Sequence, residues 1–92
     1  MSELKPFWES TPVNAGCTSE GNAIKVDNEV WKNAVGYETY DADNNLLRIS
    51  MFGLGDAQKS SRYTKVLWPA SEGAAYIMAV GYNGQRVKCY QK

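Results

Sequence analysis

Two cysteines, ten carboxylates and ten cationic side chains are the groups in this sequence that could do chemistry, and histidine is absent. Without an imidazole, Ser-His-Asp and Cys-His arrangements, the usual zinc and non-haem iron ligand sets and His acid–base catalysis are excluded. Glu38, Asp56 and Glu72 could be imagined as acid–base partners, but nothing in their spacing fixes them together, and isolated carboxylates are normally solvated. Gly53-Leu54-Gly55 begins like a phosphate loop, yet it lacks the third glycine and does not run from a strand into a helix. Asp41, Asp43 and Asn45 alternate as in a calcium loop. Leu46 and Phe52 stand where such a loop needs its glycine and its closing glutamate, so an exposed turn is expected instead. The chain is read as non-enzymatic, with no cofactor and no metal.

Cys17 and Cys89 lie near opposite ends of the chain, without the CxxC spacing of a metal knuckle or a thioredoxin-like site. One reading is a disulfide pinning the N-terminal segment to the last strand, which suits a secreted framework. The other is two independent buried thiols. The residues after Met1 show no basic n-region followed by an apolar run. Either the protein is cytoplasmic or a signal has been cut away; the disulfide reading favours the second, so the expected localisation is secreted after signal removal, with the cytoplasm as the alternative. No apolar stretch is long enough to span a bilayer.

Tyrosine and tryptophan are the enriched chemistry, with six Tyr and three Trp. Such rings bury much area while keeping a polar handle, which is why they recur at binding hot spots. Trp8, Tyr63, Trp68 and Tyr90 are partner-binding candidates on this ground. Arg48, Lys65, Arg86 and Lys88 lie in strands among those rings, and the eight together could form a mixed aromatic and basic recognition face. The competing reading is core packing for the rings and a solvated sheet face for the cations. Cations and carboxylates balance at a net charge of zero, so there is no basic excess for nucleic acid to displace counterions from, and none for an anionic membrane. The expected partner is another protein; RNA is not favoured, and no membrane is expected.

These side chains must be positioned by one small domain spanning residues 1–92. A chain of this length buries roughly 60–65% of the surface it exposes when unfolded. Residues 1–22 mix Pro6, Pro12, Gly16 and Gly21 with Ser, Thr and Asn, and read as largely irregular with at most one short edge strand. Ala23–Val26 is a short strand. Asp27-Asn28-Glu29 looks like a capped helix start, Val30, Trp31, Ala34 and Val35 form an apolar stripe, and Gly36 supplies a stop, which predicts a helix over 28–36 with Trp31 as its core anchor. Tyr37–Tyr40 and Leu46–Phe52 read as a hairpin around a turn cluster, and residues 53–62 as a polar loop. Tyr63–Trp68 is a strand ended by Pro69. Ala74–Tyr82 and Gln85–Tyr90 form a hairpin across Asn83-Gly84. A two-residue loop there turns Tyr76, Met78, Val80, Val87 and Cys89 to the core, and Ile77, Ala79, Gly81, Arg86, Lys88 and Tyr90 away from it. The expected class is α+β, one short helix packed on an antiparallel sheet of about five strands.

Cys17 with Ile24, Val30 and Ala34 leading into the helix, then Leu67-Trp68-Pro69, Gly73-Ala74-Ala75-Tyr76-Ile77-Met78, Gly84 and Cys89, follow an order that resembles the small fungal guanyl-specific ribonucleases. It also resembles the ribonuclease-like effectors secreted by plant-pathogenic fungi. The ribonucleases use His with a Glu and an Arg, so no catalytic residue carries over. The resemblance implies a non-catalytic, monomeric relative that acts by binding a host or target macromolecule. Size and composition also suit a phage-encoded cytosolic inhibitor of a bacterial defence system, or an accessory subunit of a larger assembly.

Overall fold

The computed structural model describes residues 12–31, 34–51, 62–81 and 84–92. Seven strands run through them: β1 Cys17–Glu20, β2 Ala23–Asp27, β3 Ala34–Asp41, β4 Leu46–Met51, β5 Tyr63–Leu67, β6 Ala74–Gly81 and β7 Arg86–Gln91. Every pairing is antiparallel, in a three-stranded sheet of order β1-β2-β5 and a four-stranded sheet of order β4-β3-β6-β7. Ile24, Val26 and Val66 from the first sheet and Tyr37, Ile77, Ala79 and Cys89 from the second belong to one buried cluster, so the sheets pack face to face. Trp31 and Trp68 complete that cluster from the connections.

The expected helix over 28–36, and with it the α+β class, is corrected: the fold is a two-sheet β architecture, and among the described residues the one helical element is the 3-10 turn Ala70–Glu72. The helix-start signal is real but is used up in a single turn. Asp27 Oδ1 accepts the Glu29 N–H at 2.8 Å, and Asp27 O accepts the N–H groups of Val30 and Trp31, both at 3.1 Å. From Ala34 the chain is extended, and Gly36, expected as a helix stop, pairs with Met51 on one side and Val80 on the other. A two-turn helix is marginal alone, whereas the Val35–Tyr40 run, rich in β-branched and aromatic residues, gains two hydrogen-bonded ladders as the inner strand β3. Trp31 is fully buried as expected, but in the turn before β3 rather than on a helix.

The register of the last hairpin also differs. Gly84 N–H bonds Gly81 O at 2.9 Å and Gly81 N–H bonds Gln85 O at 2.8 Å, so the connection is three residues long, with Gly84 at φ 86°. Val80 therefore pairs with Arg86 and Ala79 with Val87. A slip of one residue exchanges the two faces of a strand. Ile77 and Ala79 point into the core, and Tyr76 and Met78 lie on the opposite face, the reverse of expectation at these four positions, while Val80 is buried as expected. A bulge between Ile77 and Met78 then brings Tyr90 opposite Ile77, and both Cys89 and Tyr90 pack on the core.

The expected disulfide is corrected as well: Cys17 and Cys89 are free thiols.

Candidate functional site

The outward face of the four-stranded sheet is assembled by register. Leu46, Tyr40, Tyr76 and Gln91 fall in one row across the strands, and Ile49, Glu38, Met78 and Lys88 in the next. Tyr40 and Tyr76 stack with centroids 5.2 Å apart and planes 10° from parallel. Lys88 Nζ sits 4.6 Å from the Tyr76 ring centroid and donates to Gln91 Oε1 at 2.9 Å. Tyr76 Oη donates to Asn44 Oδ1 at 2.7 Å, which ties the row to the β3–β4 turn. Asn44 holds φ at 68° there, and Asp41 Oδ1 accepts the N–H groups of Asp43 and Asn45. The acidic turn is thus an Asx-type connection whose carboxylate is occupied by main chain.

Glu38 is the buried charge of this face. Arg86 grips it through two bonds, Nε to Oε1 at 2.7 Å and Nη2 to Oε2 at 3.0 Å, and Tyr40 Oη donates to Oε1 at 2.8 Å. The Arg86 guanidinium, and less strongly the Tyr40 hydroxyl, hold the Glu38 carboxyl below its ordinary range against the opposing effect of burial. Burial first, then the Glu38 carboxylate, pushes the Tyr40 phenol up. Beside this network Leu46 and Ile49 on edge strand β4 are 47% and 55% exposed. The face is therefore an aromatic stack and a braced ion pair flanked by exposed aliphatic side chains.

Glu38 gives this face a signature in solution. Its folded pKa is depressed, so its stabilisation is present above the unfolded value of about 4.3 and is lost as pH falls through the lower folded value. Acid titration of the wild type should show that loss, and Glu38→Gln should flatten this part of the profile. An unchanged profile would contradict the pairing.

The outward face of the three-stranded sheet is different in kind. Tyr63 carries Lys25 Nζ 4.6 Å from its ring centroid and the Arg62 guanidinium at 5.3 Å. Lys65 pairs with Glu20 at 3.2 Å and Arg62 with Asp27 at 3.0 Å. Lys65 lowers Glu20, and Arg62 lowers Asp27. Here each cation already has an acidic partner within the same sheet or its flanking turn.

The expected recognition residues are therefore divided. Arg86 and Lys88 lie on the outward face of the four-stranded sheet. Tyr63 and Lys65 lie on that of the other sheet. Trp68 is buried and meets half-buried Tyr90 edge to face at 5.1 Å, so both rings are engaged in packing on the core. Arg48 bonds Glu72 and the Leu47 carbonyl. Trp8, Asp56 and the Gly53-Leu54-Gly55 segment lie outside the described residues. Glu38 and Glu72 are each held by a different arginine. Tyr40, Tyr76 and Ile49 were not among the expected binding residues; their signal is the alternation of Tyr37–Tyr40 and the correct register of β6. Among the described residues no group of three or more His, Cys, Asp or Glu side chains could hold a metal ion, and no helix is long and apolar enough to cross a membrane.

No protein-family model matches the chain, and neither a curated protein nor a solved structure matches it significantly. Among the described residues no helix packs on a sheet.

Proposed function

We propose that the protein is a non-enzymatic binding module, a small effector or inhibitor that occupies a surface of another protein through the outward face of the four-stranded sheet. The observation that carries this reading is the combination of exposed Leu46 and Ile49 with the rigid Tyr40–Tyr76 stack and the Glu38–Arg86 pair. Protein interfaces favour such an arrangement, an apolar and aromatic centre with satisfied charges at its side. The net charge of zero favours a protein over a polyanion. Glu20, Asp27, Glu38, Asp41 and Glu72, each committed to a cation or to main chain, favour binding over acid–base turnover. The free thiols suit a reducing compartment and so favour the cytoplasmic inhibitor over the secreted effector.

The reading is tested with two surface variants. Ile49→Asp puts a charge on the edge-strand flank of the face at an exposed position, where stability should change by no more than about 0.5 kcal/mol. Leu67→Asp does the same on the other sheet. A partner retained by the wild type and by Leu67→Asp should be lost by Ile49→Asp. Equal retention by all three would overturn the assignment of the face. Cleavage of RNA, abolished by one carboxylate substitution, would overturn the non-enzymatic reading itself.

A further inference from the structure

We propose that Cys17 and Cys89 form a reversible thiol–disulfide modification site, closed by exchange with a small-molecule disulfide, which bridges β1 of one sheet to β7 of the other. The two residues stand 72 positions apart in sequence, yet the Cys17 thiol donates to the Cys89 carbonyl at 3.3 Å. The neighbouring main chain already holds the two segments together: Asn14 N–H bonds Cys89 O at 3.0 Å, and Gln91 N–H bonds Asn14 Oδ1 at 2.8 Å. Cys89 is fully buried in the core cluster and Cys17 packs against that cluster while keeping part of its surface exposed. The pair is therefore asymmetric, Cys17 at the margin of the core and Cys89 enclosed within it.

The chemistry follows from that asymmetry. The Cys17 thiolate forms a bond to one sulfur of the small disulfide, whose own S–S bond breaks and releases a first thiolate. Cys89 then attacks the Cys17 sulfur, the mixed disulfide breaks, and the second thiolate leaves. Two electrons pass from the protein to the small disulfide, and the two thiol protons end on the two released thiols. The surroundings favour this order of attack. The Cys89 side chain, and secondarily the Trp31 indole, lower the Cys17 thiol against the effect of burial, while the Cys17 contact and burial raise Cys89. Tyr37, its phenol raised first by burial and then by the two sulfurs, lies beside them. The bridge would lock the N-terminal strand to the last strand without touching the outward face described above, so it is independent of the binding reading.

The test is incubation of the native protein with oxidised glutathione, followed by alkylation under denaturing conditions and mass measurement. The expected product is a monomer lighter by two hydrogens, restored by dithiothreitol. Closure of so long a loop should raise its melting temperature by on the order of 15 °C. A stable glutathione adduct on Cys17, a disulfide-linked dimer, or two alkylated thiols would each overturn the proposal. Cys89→Ala should instead hold glutathione on Cys17. If Cys17→Ala took up glutathione on Cys89 at the same rate as Cys89→Ala does on Cys17, the order of attack would be wrong.

Discussion

Trp31→Ala should cost about 4 kcal/mol, the range for emptying a large aromatic site in a packed interior. A domain of this size has roughly 5–15 kcal/mol in total, so the variant should lose a large fraction of its stability and melt at a much lower temperature than the wild type. The side chain is fully buried, and its indole N–H donates to the Ala15 carbonyl at 2.9 Å. It therefore holds two things at once, the core between the sheets and the N-terminal turn above it. Trp31→Phe keeps most of the ring volume and loses the hydrogen bond, so it should cost appreciably less than the alanine change. Urea denaturation of both variants checks this, and a Trp31→Ala midpoint close to that of the wild type would contradict the placement of Trp31.

Gly16→Ala should be the second large effect, at about 3 kcal/mol, from adding a positive-φ penalty to overpacking. Gly16 has φ 69°, and a Cβ there would sit 3.0 Å from both Cβ and Cγ2 of Val30 and 3.2 Å from Cβ of Asp27. Val30 is stiff at χ1 and Asp27 is fixed by Arg62 and by the turn it caps, so neither yields cheaply. Gly21 separates the two contributions. Its φ is 63°, but a Cβ there meets nothing within 4 Å, so Gly21→Ala should cost only about 1 kcal/mol. Adding Val30→Ala to Gly16→Ala should return part of the lost stability, although Val30→Ala alone destabilises. Thermal melts of the three variants decide the matter, and equal costs at Gly16 and Gly21 would show that the close approach to Val30 is wrong.

Much of the strand content was legible because it is carried by short-range signals. Ala23–Val26, Tyr63–Trp68 and the Tyr37–Tyr40 hairpin show β-branched and aromatic runs ended by turn residues, and they became β2, β5 and the β3–β4 pair. The short edge strand in the irregular N-terminal segment became β1. The helix was misread because Asp27, Glu29 and the Val30-Trp31 pair satisfy a one-turn cap as well as a helix start. The deciding term, two-sided pairing of β3, is non-local and cannot be read from the 28–36 window. The make-up of the outward sheet face was only partly legible for a related reason. Arg86 and Lys88 were placed on the outward face correctly, whereas Tyr40 and Tyr76 were missed. The Asn83-Gly84 signal fixes that a hairpin exists, but loop length fixes its register, and one residue of difference turned Ile77 inward and Tyr76 outward. Tyr90 and Trp68 carry the same sequence signal as binding tyrosines and tryptophans. Only the packing of the sheets puts their rings against each other on the core.

The central claim, that the outward face of the four-stranded sheet is the surface a partner protein covers, is tested most directly by site-specific photo-cross-linking. A photoreactive residue is placed at Ile49 on that face or at Tyr63 on the opposite sheet, in protein mixed with its source-cell extract. The account predicts one discrete protein adduct from position 49, competed away by unlabelled wild type but not by Ile49→Asp, and none from position 63. An adduct from position 63 alone, or no competition at position 49, would contradict it.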